Sequence, residues 1–279
     1  MRQTAAAVSG TQLTGIPPTT AALRHLLAGV GGLDVVFQPL FELRPAGAVV
    51  HAVEGLIRGP KGTQLEQPER LFAFFRPRGE GTQLDALCLG TILMRAAALP
   101  GSPRLCLNVG AESVTSTFFL EELLQEAERA GISPYRLILD IGLDDPEFDQ
   151  TRLVTAVRDI RRFGIRIAYD EGSPFATGFQ LLMDAPPEYL KLHQSVVRAL
   201  ASDRDVRKTL IATVNLGQIA GFRVVAKGVE RPADVEEVRG CGIDLVQGYH
   251  CARPAAARDP HMSELLRSVP GAWDDQHVR

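Results

Sequence analysis

Six short apolar runs in this chain each close on a side chain able to do chemistry. They are RLCLN at Asn108, LILD at Asp140, IRIAYDE at Asp170 and Glu171, YLKLH at Lys191 and His193, RVVAK at Lys227, and DLVQ at Gln247. Acids and an amide suit hard divalent cations, and lysines suit phosphate oxygens. One such ending is only what an apolar strand does where it meets a solvated loop. Six in step with a βα repeat mean more. A parallel barrel gathers the C-terminal ends of its strands on one face, so these residues would converge on one pocket.

The elements that must position them follow from pattern and punctuation. VVFQPLFEL (35–43) and AVVHAVEGLIR (48–58) are strand-like and joined by the turn signal RPAG, which predicts an antiparallel hairpin at the start. A short helix is expected from Thr20 to Gly29, another after Pro68, and a longer one over 84–98. From there alternation is regular: strand 104–109, helix 118–130, strand 136–142, helix 150–162, strand 165–170. A shorter helix near 176–183 precedes strand 189–193, then come helix 204–220, strand 222–227, helix 232–239 and strand 244–249. Eight strands result, the pattern of one α/β barrel.

The bulk numbers fit that reading. A chain of 279 residues matches one barrel of roughly 250 residues with a leader and tail. The expected division is a weakly ordered leader with its short helix over 1–30, a barrel over 31–265 and a polar tail over 266–279. Apolar content of 45% and charge of 23% belong to a globule with a large core. A net charge of −3 gives no broad cationic field for nucleic acid or an anionic membrane. No apolar run reaches a membrane span, and no signal-peptide core is present. The four cysteines lack zinc-type pairing, which points to free thiols in a cytoplasmic protein.

From about Val35 to Pro254 the chain resembles the EAL domain, a bacterial module that binds or hydrolyses cyclic di-GMP. FQPL (37–40) is similar to the family's opening strand. EGLIRGPKGTQLEQPERLF (54–72) is similar to its signature segment, with Gly55 in place of the name-giving Ala. LNVG, GIRIAYDE, YLKL, RVVAKGVE and GIDLVQGYHCARP resemble later motifs in their order. The resemblance implies a modified TIM (βα)8 barrel with an antiparallel first strand, in agreement with the hairpin. It implies two divalent metals, Mg²⁺ or Mn²⁺, that activate water to open the phosphodiester. Their ligands would be Glu54, Asn108, Asp140 and Asp170. Lys191, Glu171 and Glu230 would take part in catalysis, and Arg58, Gln247 and Lys191 would hold the ligand.

This chain departs from the family at several points. Asp140 stands where the family has Glu, and Glu171 where it has the second Asp. Lys227 replaces a family acid, turning an anion into a cation beside the metals. Leu143 replaces a loop-steadying acid, GSPFATG (172–178) replaces a glycine-rich turn, His193 replaces an Asp, and Cys251 stands where an aromatic ring is usual. Several residues carry a plainer role beside the functional one. Asn108 caps a turn or ligates metal, and Arg58 meets a ligand or an internal acid. Lys227 is expected to pair with Asp170 or Asp140, His193 to be satisfied beside a helix start, and Gln247 and Tyr249 to pack the closing strand. The expectation is a degenerate site: an effector that binds cyclic di-GMP, or a protein partner or a second copy, with no metal required. The alternative is an active metal-dependent phosphodiesterase producing linear pGpG.

Overall fold

A computed structural model describes residues 23, 32–143, 148–171 and 177–267. Eight strands close into a barrel in chain order: β1 (Asp34–Arg44), β2 (Gly47–Arg58), β3 (Leu105–Gly110), β4 (Leu137–Gly142), β5 (Arg166–Asp170), β6 (Tyr189–Leu192), β7 (Arg223–Lys227) and β8 (Leu245–Gln247). β1 is antiparallel to both of its neighbours, β2 and β8, and every other pair is parallel. The turn at Pro45 and Ala46 pairs Arg44 with Gly47. Leu40 then pairs with Ala52 but Phe41 with Val50, so His51 is an extra residue, a β-bulge.

Around the barrel lie α1 (Pro68–Phe75), α2 (Gly81–Ala96), α3 (Ala111–Val114), α4 (Phe119–Arg129), α5 (Gln150–Arg161), α6 (Phe179–Asp184), α7 (Gln194–Ala199), α8 (Arg204–Ala220), α9 (Pro232–Arg239) and α10 (Pro260–Arg267). Their boundaries have local causes. Asp203 caps α8 by accepting from the amides of Asp205 and Val206, and Gly221 ends it at φ 88°. Asp149 caps α5, and Pro232 opens α9. The apolar stripe Leu153, Val157 and Ile160 turns α5 onto the outer faces of the strands. The helices α3, α7 and α10 are additions to the sequence reading. The expected boundary at 265 falls inside α10, and the expected leader and helix 20–29 lie almost wholly outside the described residues.

The strand period of two explains the barrel interior. Leu40, Ala52, Cys106, Ile138, Ala168, Tyr189, Val225 and Leu245 form one buried cluster, a single residue from each strand. The alternate residues, such as Val53, Leu107, Leu139, Ile167, Leu190 and Val224, face the helices and join the larger apolar layer. Two residues farther toward the mouth, the same strands present Glu54, Asn108, Asp140, Asp170, Lys191, Lys227 and Gln247. On the reversed β1 the equivalent residue is Gln38, which pairs with Glu54. An apolar plug thus carries a polar layer to which all eight strands contribute. Asn108 and Asp140 sit two residues inside their strand ends, because β3 and β4 stay paired as far as Gly110 and Gly142.

Candidate functional site

The polar layer is held together by its own charges. Glu54 is buried and accepts from Asn108 Nδ2 at 2.9 Å and Gln247 Nε2 at 2.6 Å. Lys191 Nζ lies 3.2 Å from Glu54 Oε1 and donates to Asp140 Oδ2, with Lys191 only 2% exposed. One ammonium therefore serves two buried carboxylates, and they fare differently. Burial pushes Glu54 up, but Lys191 and the two amides outweigh it and hold the carboxyl below its ordinary value. Asp140 lacks such donors; burial, with Asp170 and Glu54 adding to it, raises its pKa to about 6. Burial disfavours the charged Lys191, yet its two acids raise it well above the usual lysine value, so it stays protonated. The Cys106 thiol lies 3.6 Å from Asp140 Oδ2 and is kept protonated by burial.

A second ion pair completes the layer. Lys227 donates to Asp170 Oδ1, and both side chains are about a quarter exposed at 23% and 26%. This is the pairing expected from the sequence, and it faces the solvent side of the mouth. Glu171 is buried next to it; its amide donates to the carbonyl of Lys191 at 3.1 Å, and its carboxylate accepts from the amide of Thr177 at 3.3 Å. His193 caps α7, its Nδ1 3.3 Å from the amide nitrogen of Ser195, as expected for a satisfied residue at a helix start.

Two expected members stand apart. Glu230 is exposed and pairs with Arg198 of α7 at 3.3 Å. Arg58 donates to the carbonyl of Ile57 at 2.8 Å and has no carboxylate partner among the described residues. Pro174 and Phe175 lie outside the described residues. Leu143 is half-buried against the core and Cys251 is half-buried. Gln38 was missed: β1's reversal and the period of two place it in the layer, where its Nε2 donates to the carbonyl of Ala252 at 3.1 Å. A groove of about 360 Å³ lies elsewhere, on the flank between α3 and α5, and none of the mouth residues lines it.

Gly55 has its own steric cause. A Cβ there would lie 2.3 Å from Ile92 Cγ2 on α2. The methyl group that an Ala would carry at this position has no room beside the β-branched Ile92.

The residues present do not fit a two-metal centre as they stand. Among the described residues, no three His, Cys, Asp or Glu side chains come together to hold a cation. The donor set gains an extra ammonium, Lys227 in place of a family acid, and it already neutralises Asp170, a carboxylate a metal would need. Asp140 Oδ1 is buried without a hydrogen-bond partner, but its other oxygen belongs to Lys191.

Comparison with known proteins follows this geometry. The EAL domain family model matches residues 20–254. The cyclic di-GMP phosphodiesterase NbdA of Pseudomonas aeruginosa is 29% identical over 231 residues, spanning 80% of this chain and 29% of NbdA. This chain therefore spans under a third of that relative's length. Two solved structures share the fold. The PaMucR phosphodiesterase in complex with c-di-GMP has a TM-score of 0.73 at 23% identity, covering 84% of this chain and 96% of that one. Klebsiella pneumoniae BlrP1, in a manganese and cyclic di-GMP complex, has a TM-score of 0.72 at 22% identity, covering 82% and 57%. Eight strands in the expected order, an antiparallel first strand and a family match over most of the sequence lead to one assignment: this chain belongs to the EAL domain family.

Proposed function

We propose that this chain binds cyclic di-GMP as an effector and does not hydrolyse it. The observation that carries this reading is Lys227, which stands where the family has an acid and sits on Asp170. A divalent ion entering the layer would have to displace an ammonium and then remain beside it. A phosphate oxygen needs no such exchange of sign. Lys227, partly exposed and tied to one carboxylate, is placed to turn from Asp170 to an incoming phosphodiester as a compact point charge. Arg58 supports the reading, since its carbonyl bond leaves the guanidinium charge available to a phosphate.

Calorimetry tests this directly. Cyclic di-GMP is titrated into the protein in EDTA and again with Mn²⁺ or Mg²⁺, and each mixture is then resolved by chromatography. Binding of equal strength with and without metal, and no linear dinucleotide, is the expected result. Metal-dependent conversion to linear pGpG overturns the proposal in favour of an active phosphodiesterase.

A further inference from the structure

The connection from β2 to α2 brings to the mouth a cation that no strand carries. β2 ends at the mouth with Arg58; α1 and the single turn Arg76–Arg78 follow, and α2 then runs back toward the base from Gly81. β2 and β3 are parallel with Gly55 opposite Leu107, and that register, carried three residues on, sets Arg58 level with Gly110. Both positions keep the inward parity of the polar layer, Arg58 with Glu54 and Gly110 with Asn108. Gly110 leaves its position without a side chain. Its φ of −75° is open to any residue, so the neighbours and not the backbone explain the glycine. A Cβ there would lie 3.2 Å from Asp85 Oδ2 and 3.9 Å from Arg76 Nη2. Arg76 thus reaches from the connection into the place that a β3 side chain would take, beside Arg58.

Arg76 is exposed, and its guanidinium lies over the Phe72 ring, 5.2 Å from the centroid, a stack that holds the fork in one plane. Among the described residues no carboxylate lies within ion-pair distance of it. Asp85, the acid whose charge it feels, has its Oδ2 occupied by the Gly110 amide at 3.0 Å and the Ser113 hydroxyl at 2.5 Å. Burial raises the Asp85 carboxyl, and neither those bonds nor the Arg76 charge offsets it. Arg58 bonds only the carbonyl of Ile57. Two guanidiniums therefore stand at one level, on strand ends about 4.8 Å apart, with no acid paired to either among the described residues. A phosphate group offers oxygens to both forks and removes the repulsion between them. Arg78 is the contrast: it lies over Phe74 at 3.8 Å and donates to the carbonyl of Phe74, so its fork is held on α1 itself.

We infer that Arg76 is a second phosphate-binding arginine, closing with Arg58 on one phosphate group of the ligand at the corner of the mouth where β2 and β3 end. The inference rests on the effector reading above, in which that phosphate belongs to cyclic di-GMP. Cyclic di-GMP is titrated by calorimetry in EDTA, at two salt concentrations, into the parent, Arg76→Gln and Arg78→Gln. Arg76→Gln should weaken binding about tenfold or more and make its salt dependence shallower, while far-ultraviolet dichroism remains native. Arg78→Gln should change the affinity by less than about twofold. Arg76→Lys keeps the charge without the fork and should recover only part of the loss. Equal affinity of the parent and Arg76→Gln, or an equal loss in Arg76→Gln and Arg78→Gln, overturns the inference and leaves the effector reading standing. If Arg76→Gln does not fold, Phe72→Leu, which removes the stack, should weaken binding about threefold, and an unchanged affinity overturns the inference. If the parent does not bind cyclic di-GMP, the effector reading fails and inorganic pyrophosphate at low salt becomes the probe. Saturable pyrophosphate binding that Arg76→Gln weakens upholds the arginine pair; binding that is absent, or unaltered by the replacement, overturns it.

Discussion

Lys227 is the residue whose replacement says most about the mouth. Lys227→Met removes a cation and adds no ligand, whereas Lys227→Glu removes it and supplies an oxygen donor. At about 6 Å and an effective dielectric of ~20, a unit charge repels a divalent ion by roughly 5–6 kcal/mol. The Lys227 and Asp170 side chains are 23% and 26% exposed, so solvent screens part of that repulsion. A screened remainder of about 2–3 kcal/mol, at roughly 1.4 kcal/mol per decade, corresponds to a 30- to 100-fold change in affinity. Mn²⁺ affinity measured by calorimetry should rise by that order in Lys227→Met and by at least as much in Lys227→Glu. Combining Lys227→Glu with Asp140→Glu should then yield linear dinucleotide detectable by chromatography. Two folded variants that bind Mn²⁺ no tighter than the parent would refute the electrostatic argument. If the double variant binds Mn²⁺ but makes no product, the fault lies in the segment 172–178.

Three further outcomes follow from other parts of the structure. Lys191→Met leaves Glu54 and Asp140 buried without their cation and should cost about 3–5 kcal/mol in urea denaturation at pH 7.5; a loss below about 1 kcal/mol would show that the trio is not what holds the layer. His51 is held neutral in the fold, with a pKa near 4 against an ordinary 6.5. The unfolded chain therefore takes its proton first as pH falls from 6.5 to 4, and over that window the fold should lose about 3 kcal/mol of stability from this residue. His51→Gln should remove that part of the acid dependence, and an unchanged profile would count against the assignment. Gly55→Ala should lower the melting temperature through its contact with Ile92, and adding Ile92→Leu, which removes the Cγ2 methyl, should recover most of the loss. Failure of that recovery would place the strain elsewhere.

The barrel was legible because its strands are short, apolar and regularly spaced, and because α5 and α8 carry clear caps. The RPAG turn made the hairpin readable, and with it β1's reversal. The mouth was legible for the same reason: a residue at a strand end has a defined face, so Glu54, Asn108, Asp140, Asp170, Lys191, Lys227 and Gln247 could be placed together. Legibility stopped at the loops. Glu230 follows Gly228, whose φ of 72° turns the chain, and motif spacing says nothing about which way a side chain points after such a turn. Arg58 ends its strand, but the sequence does not show that its guanidinium bonds the carbonyl beside it. Gln38 was missed because β1 runs backward, so its mouth residue lies near the start of the strand and not at the end, where the other strands carry theirs.

The reversal of β1 also determines where the protein can be pulled. Asp34 pairs with Arg58, the last residue of β2, so the chain enters its first strand at the mouth rather than the base. Tension on the chain just ahead of Asp34 would act along β1, in shear against the bonds to β2 and β8. Gln38, four residues in, is pinned to the carbonyl of Ala252 and stands beside Glu54, so the same force would load the rim of the site early. A first strand running parallel to its neighbours would take that load at the far end of the barrel, a full strand length from the lysines.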